Sequence, residues 1–266
     1  MEHKKNRLVQ ELDHWYRKIH KPDFIAADPV QFPRRYKKRE DIEIAAFLSA
    51  TIAWGRRDLI LRSAEKMFAI MGKSPYSFVK GGDYRKLKKR NIHRTFFEDD
   101  LKYFCAGFDY CYAKYGNLEK LFASAPDVWQ GIALFREEMA RANNGKYSKH
   151  ISNPGTTDRN GSACKRLNLA LRWLVRGGPV DLGLWKSIKP AALHIPLDVH
   201  VMRTARELKL LQRKSNDKKA VIELTEKLRG FCRSDPAKYD FALFGIGIEK
   251  NPRPPRLSVN SFFNKT

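Results

Sequence analysis

The chain has 266 residues, 42% of them hydrophobic, which is enough for one large domain or two lobes sharing an interface and speaks against a disordered default. Lys and Arg number 52 against 29 Asp and Glu, and a net charge of +23 repels itself in any compact state, so it is expected to serve an anionic partner. Nucleic acid fits best; a membrane is not expected, because no apolar run approaches the ~20 residues of a span and no basic amphipathic helix with a wide apolar face stands out.

The opening run "MEHKKNRLVQELDHWYRKIHKPDF" lacks the apolar core of a signal peptide and spaces Leu8, Leu12, Trp15 and Ile19 as one helical face. A helix and a cytoplasmic protein are expected. "DIEIAAFLSATIAWG" predicts a helix opened by Asp41 and closed near Gly55, and "RDLILRSAEKMFAIMG" a second ending at Gly72. "DDLKYFCAGFDYCYAKYG" and "NLEKLFASA" predict a helix and its short successor, hinged at Gly116. "APDVWQGIALFREEMARANNG" starts on Pro-Asp and stops on Asn-Gly, and a polar loop, "NGKYSKHISNPGTTDRNGS", follows it. Next come a long helix in "SACKRLNLALRWLVRGG", a Pro-started turn, a helix after Asp198, and helices around Val221–Leu228 and Tyr239–Phe244. The ending "KNPRPPRLSVNSFFNKT" is too rich in proline for a helix and is expected along the surface. Strand alternation is nearly absent, so the fold class is all-α.

Cys105, Cys111, Cys164 and Cys232 form no CxxC pair and are most simply core thiols of a reducing compartment. In the helix opening near Ser162, Cys164, Leu167, Leu171 and Leu174 fall on one face and suit a core. Lys165, Arg172 and Arg176 fall on another, where Arg172 and Arg176 read as a solvated basic face or as phosphate contacts. Lys165 sits in the first turn, where the helix dipole disfavours a cation and pushes an amine pKa down. In "IPLDVHVMRTAREL", Pro196 holds the approach extended and Asp198 suits the N-cap, a role worth ~1 kcal/mol. A cap also favours the ionised form of a carboxylate, so capping and catalysis are compatible.

"IPLDVHVMRTARELKLL" resembles the aspartate-bearing segment of helix-hairpin-helix DNA glycosylases, with Asp198, His200, Val201 and Arg203 at matching places. "SACKRLNLALRWLVRGG" looks like the lysine-bearing helix of the archaeal 8-oxoguanine DNA glycosylase branch. With "DIEIAAFLSATIAWGRR" and "DPAKYDFALFGIG", residues 20 to 250 closely resemble an uncharacterised bacterial family of that superfamily, domain of unknown function 2400. The resemblance implies a two-lobed glycosylase-like fold, with residues 40–194 as a central helical lobe and residues 1–39 and 195–266 as a second lobe made by the chain ends. It departs from the pattern in lacking the usual "LPGVGxKT" hairpin. Lys165 precedes Asp198 by 33 residues, close to the archaeal interval; Lys186 and Lys189, 12 and 9 residues before it, are the alternatives.

The implied activity is excision of a damaged base, perhaps 8-oxoguanine, from a nucleotide flipped out of duplex DNA. Lys165 would attack C1′ as a neutral amine, and Asp198 would stabilise the oxocarbenium-like sugar. A free lysine is almost wholly protonated at neutral pH, so burial and neighbouring cations must both lower its pKa. Arg203, and Arg56 and Arg57 of "WGRR", are candidate DNA contacts alongside Arg172 and Arg176. "FPRRYKKRE" and "DYRKLKKRNIHR" are further candidate phosphate-binding runs. Thr51 and Trp54, by the same resemblance, would act near the gap left by the flipped base, although Trp54 equally suits a core. His194 and His200 are expected to be structural, and Asp240 and Phe241 to anchor the last helix. No metal and no cofactor is expected: the four-cysteine iron–sulfur loop of some relatives is missing after Cys232. A monomer is expected. The competing readings are a helical DNA- or RNA-binding protein that keeps the fold without chemistry, and a basic assembly protein.

Overall fold

The computed structural model describes residues 2–156 and 159–250. The proline-rich run from 251 onward, expected along the surface, lies outside the described residues. Twelve α-helices are described: α1 Glu2–Ile19, α2 Asp23–Ala26, α3 Arg39–Thr51, α4 Arg57–Met71, α5 Pro75–Lys80, α6 Glu98–Tyr115, α7 Leu118–Ala123, α8 Val128–Arg141, α9 Lys165–Val175, α10 Val199–Glu207, α11 Lys218–Arg229 and α12 Tyr239–Lys250. The expected helices are all present, within a few residues of their read boundaries.

Helix α3 is the centre of the packing. Every residue from Ile44 to Thr51 is buried, so the helix has no solvent face and cannot be amphipathic. Phe47 stacks on Phe135 and Phe122, at 4.9 and 5.7 Å between ring centres. Glu43 is buried beside them and accepts from Trp185 Nε1 (2.8 Å), Tyr112 Oη (2.9 Å) and the Leu118 amide (3.1 Å). Burial still pushes its carboxyl pKa up, because three neutral donors do not replace bulk water. Asp41 does not open α3 as expected. Its carboxylate instead accepts from Ser74 Oγ and the Tyr76 amide, fastening the start of α5.

Helix α9 packs on α3, and the two ends of the chain meet where α1 lies along α12, which in turn packs on α10. Gly245 permits the α1–α12 contact: a methyl group there would stand 2.6 Å from Trp15 Cε3 and 2.7 Å from Ile19 Cγ1.

One element corrects the sequence reading. Strand β1 (Asn91–His93) pairs antiparallel with β2 (Phe96–Phe97) through a turn at Arg94 and Thr95. Two strands this short carry too few residues for alternation to register. Among the described residues no helix is long and apolar enough to cross a membrane. Cys105, Cys111 and Cys164 are core thiols, as expected; Cys232 is only half-buried.

Candidate active site

Helix α9 begins at Lys165 because Cys164, just before it, takes a left-handed conformation (φ 46°, ψ 38°) that an α-helix cannot include. A non-glycine residue held this way is strained by roughly 1–3 kcal/mol, and the surrounding bonds must hold it. The Asn168 side chain helps by donating back to Ala163 O at 3.1 Å.

From that start, Lys165 reaches the far end of α3. Its Nζ donates to Ala53 O at 3.0 Å, and Arg166 Nη1 donates to Thr51 O at 3.0 Å. The carbonyls at a helix C-terminus lack intrahelical partners and carry the negative end of the dipole, so two cations are well received there. Lys165 is half-buried. Burial, the largest influence, lowers its pKa; Asp198, then Asp240 and Asp28, pull it back up, and Arg166 lowers it slightly. The net direction is down. Desolvation therefore does most of the work that the sequence reading divided between burial and neighbouring cations, and Arg166 adds to it.

Asp198 is the N-cap of α10. Its Oδ1 accepts from the amides of His200 and Val201, both at 2.9 Å. No bond to Oδ2 is made by the described residues, and the side chain is half-buried, so one oxygen is engaged in the cap. Lys165 and Asp198 stand close enough for their charges to act on each other across 33 residues of chain. Lys186 and Lys189 are both exposed and make no such contact.

Behind this pair lies a buried ionic network. Asp240, in the first turn of α12, is ion-paired with Arg172 of α9, two turns along from Lys165. Arg172 also approaches Asp181 at 3.3 Å, and Arg176 holds Asp181 on one side and Asp235 (2.9 Å) on the other. Arg172 is 3% exposed and Arg176 2% exposed, so neither belongs to the solvated basic face expected for them, nor to a surface that phosphates can reach. The reason is tertiary: the chain after α9 folds back and supplies Asp181, while α12 and the turn before it supply Asp240 and Asp235. Burial, the largest influence, raises the Asp240 pKa to about 6, with Arg172 opposing and the nearby Asp198 adding to the rise.

The chain belongs to the family described as Protein of unknown function (DUF2400). The family model matches residues 28–249, which include Asp28, Lys165, Asp198 and Asp240. No curated protein and no solved structure matches the chain.

In this DUF2400 member the remaining candidate contacts divide sharply. Thr51 is 3% exposed, and its backbone oxygen accepts from Arg166. Trp54 is half-buried; its ring stacks near His150 at 5.7 Å, and the Arg166 guanidinium lies 5.1 Å from its centre. Arg56 is exposed but bonded to Asp58 at 2.6 Å. Arg57 lies 5.0 Å from the Phe244 ring and 3.7 Å from Asp28. Arg203 is exposed, 4.0 Å from Glu207. In "FPRRYKKRE", Arg34 is a structural clamp: it donates to the carbonyls of Pro179, Val180 and Asp181. His200 is exposed, whereas His194 packs 5.1 Å from Trp129 and burial lowers its pKa to about 4. The sequence reading missed Asp28 and Arg166 as neighbours of the amine and cast Asp240 only as an anchor. The sole available signal was that Lys165 and Arg172 share a helix face.

Proposed function

We propose that this protein is a DNA base-excision glycosylase, with Lys165 as nucleophile and Asp198 as the stabilising carboxylate, on a two-lobed helix-hairpin-helix glycosylase-like fold. One observation carries the reading: a half-buried amine with a lowered pKa shares its surroundings with a capped carboxylate 33 residues away. The meeting of α1 with α12 supports a second lobe built from the chain ends. The net charge of +23 supports a nucleic-acid partner.

The chemistry follows from the groups present. Neutral Lys165 Nζ adds to C1′ of a nucleotide extruded from the duplex, and the C1′–N bond to the base breaks, its electron pair leaving with the base. The sugar carries positive character in between, and the Asp198 carboxylate stabilises it. Asp198 then takes a proton from the new C1′-bound amine and returns it to O4′ as the amine lone pair forms the Schiff base and the C1′–O4′ bond breaks. That intermediate also permits strand cleavage at the 3′ side. An oxidised purine such as 8-oxoguanine is the proposed lesion.

The test is borohydride trapping on duplexes carrying 8-oxoguanine, uracil, an oxidised pyrimidine or an abasic site. A covalent adduct that disappears in Lys165→Gln supports the enzyme. An adduct lost only in Lys186→Gln or Lys189→Gln moves the nucleophile. Tight, salt-sensitive binding with no adduct on any lesion favours the non-catalytic nucleic-acid-binding protein instead.

A further inference from the structure

The turn between α3 and α4 is only a few residues long, yet three consecutive residues in it reach separate partners. Ala53 O accepts the Lys165 amine at 3.0 Å. Trp54 O lies 3.0 Å from His93 Nε2, on strand β1. Gly55 lies against Arg94 at the tip of the β-hairpin: a methyl group on Gly55 would stand 2.6 Å from Arg94 Nη1. Gly55 also has φ +94°, a backbone region that side chains disfavour, so glycine serves both the turn and the arginine.

The hairpin is held firmly. His93 Nδ1 lies 3.0 Å from Ser63 Oγ of α4, and burial, the largest influence, lowers the His93 pKa, so its ring is neutral at pH 7. Trp54 O can only accept, which places the ring proton on Nε2 and leaves Nδ1 to accept from the serine hydroxyl. Asn91 Nδ2 donates to Arg94 O at 2.7 Å, and His150 Nε2 lies 3.2 Å from Thr95 O. Arg94 itself sits at φ 50°, where a two-residue hairpin turn normally uses Gly, Asn or Asp. A long cation stands at a position that disfavours it.

Charge accounting singles out the same residue. Of the arginines near the amine, Arg56 is paired with Asp58, Arg57 approaches Asp28, and Arg166 is turned inward over Trp54. On the hairpin stem, Arg90 is bonded to Glu98 at 2.9 Å. Arg94, Lys88 and Lys89 are exposed, and among the described residues their side-chain cations form no ion pair, the Lys88 backbone amide alone donating to Glu98 at 3.2 Å. A cation on a rigid mount loses little conformational entropy on binding, unlike a lysine on a mobile loop.

We propose that the hairpin Asn91–Phe97, with Arg94 at its tip and Lys88 and Lys89 on its approach, is a docking surface for the phosphodiester backbone of duplex DNA, tied through the turn Ala53–Gly55 to the Lys165 amine. The proposal rests on the nucleic-acid reading of this face, but not on base excision. It adds Arg94, Lys88 and Lys89 to Arg56 and Arg57 of "WGRR", which have acidic neighbours.

The experiment is binding of a labelled, undamaged duplex by fluorescence anisotropy across about 50–200 mM salt. Arg94→Gly removes the cation and relieves the backbone, so the fold is expected to hold; Arg94→Asn, also tolerant of this conformation, is the second variant should the first fail to fold. Both should weaken binding severalfold and make the slope of log Kd against log salt shallower by about 0.9, the loss of one phosphate contact, while Arg94→Lys keeps the slope. Unchanged affinity and slope in folded Arg94→Gly or Arg94→Asn would overturn the proposal. So would weakened binding to phosphatidylserine vesicles with duplex binding intact. Borohydride trapping with Lys165 intact separates the two readings: an Arg94-dependent slope without an adduct on any lesion sinks the enzyme and leaves the docking surface standing.

Discussion

Lys165 Nζ and Ala53 O, 112 residues apart in sequence, lie 3.0 Å from each other, so the candidate nucleophile is oriented by the end of the central helix rather than by its own. Oriented this way, the amine is half-buried, and three carboxylates, from Asp198, Asp240 and Asp28, compete with burial for its charge.

Because burial wins, the Lys165 pKa lies below 10.5. The neutral amine is the reacting form, so adduct formation on an abasic-site duplex should rise with pH and level off before pH 10.5. The same sign governs stability. Between the folded and unfolded pKa the unfolded state holds more protons, so this group's contribution to stability increases as pH rises through that window. A trapping rate still climbing beyond pH 10.5 would contradict the lowered pKa.

Asp240 works in the other direction. Its pKa is raised from 3.8 to about 6, so between those values the folded state binds more protons than the unfolded one. This carboxyl therefore favours folding below pH 4, and that contribution is lost as pH climbs through about 6. Asp240→Asn should remove an effect on the order of 1–3 kcal/mol from the pH dependence of urea unfolding. Identical profiles for the two proteins from pH 4 to 7 would show that Asp240 is not held in this state.

Arg176 is nearly fully enclosed and bridges Asp181 and Asp235. Arg176→Met leaves Asp181 short of one of its two cations and should cost about 3–5 kcal/mol, lowering the melting temperature markedly. Arg203→Ala, on the exposed face of α10, should change stability by no more than about 0.5 kcal/mol. Similar losses in the two variants would remove the distinction drawn between these arginines.

Gly245→Ala tests how the ends of the chain are joined. The added methyl meets Trp15 and Ile19 at under 3 Å, and helices packed this tightly can accept it only by moving apart. A loss of about 1–3 kcal/mol in chemical denaturation is expected, together with a shift in the Trp15 environment seen by fluorescence. An unchanged unfolding midpoint would mean that α1 does not bear on α12 this closely.

Much of this protein was determined by local sequence. Helical spacing and end signals located the helices, and Pro196 followed by Asp198 specified a capped helix start, because both effects act within one or two turns. The same spacing placed Lys165 and Arg172 on one face of α9, with Arg176 just past its end, but periodicity cannot say whether a charged face meets water or a carboxylate. Tertiary structure decided that: Asp181, Asp235 and Asp240 arrive from later in the chain, and they turn an apparent basic surface into a buried ionic core. The amine's surroundings were likewise beyond local reading. Lys165 meets Ala53, Asp198 and Asp240 only through long-range packing, and desolvation, the largest influence on its charge, is a property of the assembled fold and of no single segment.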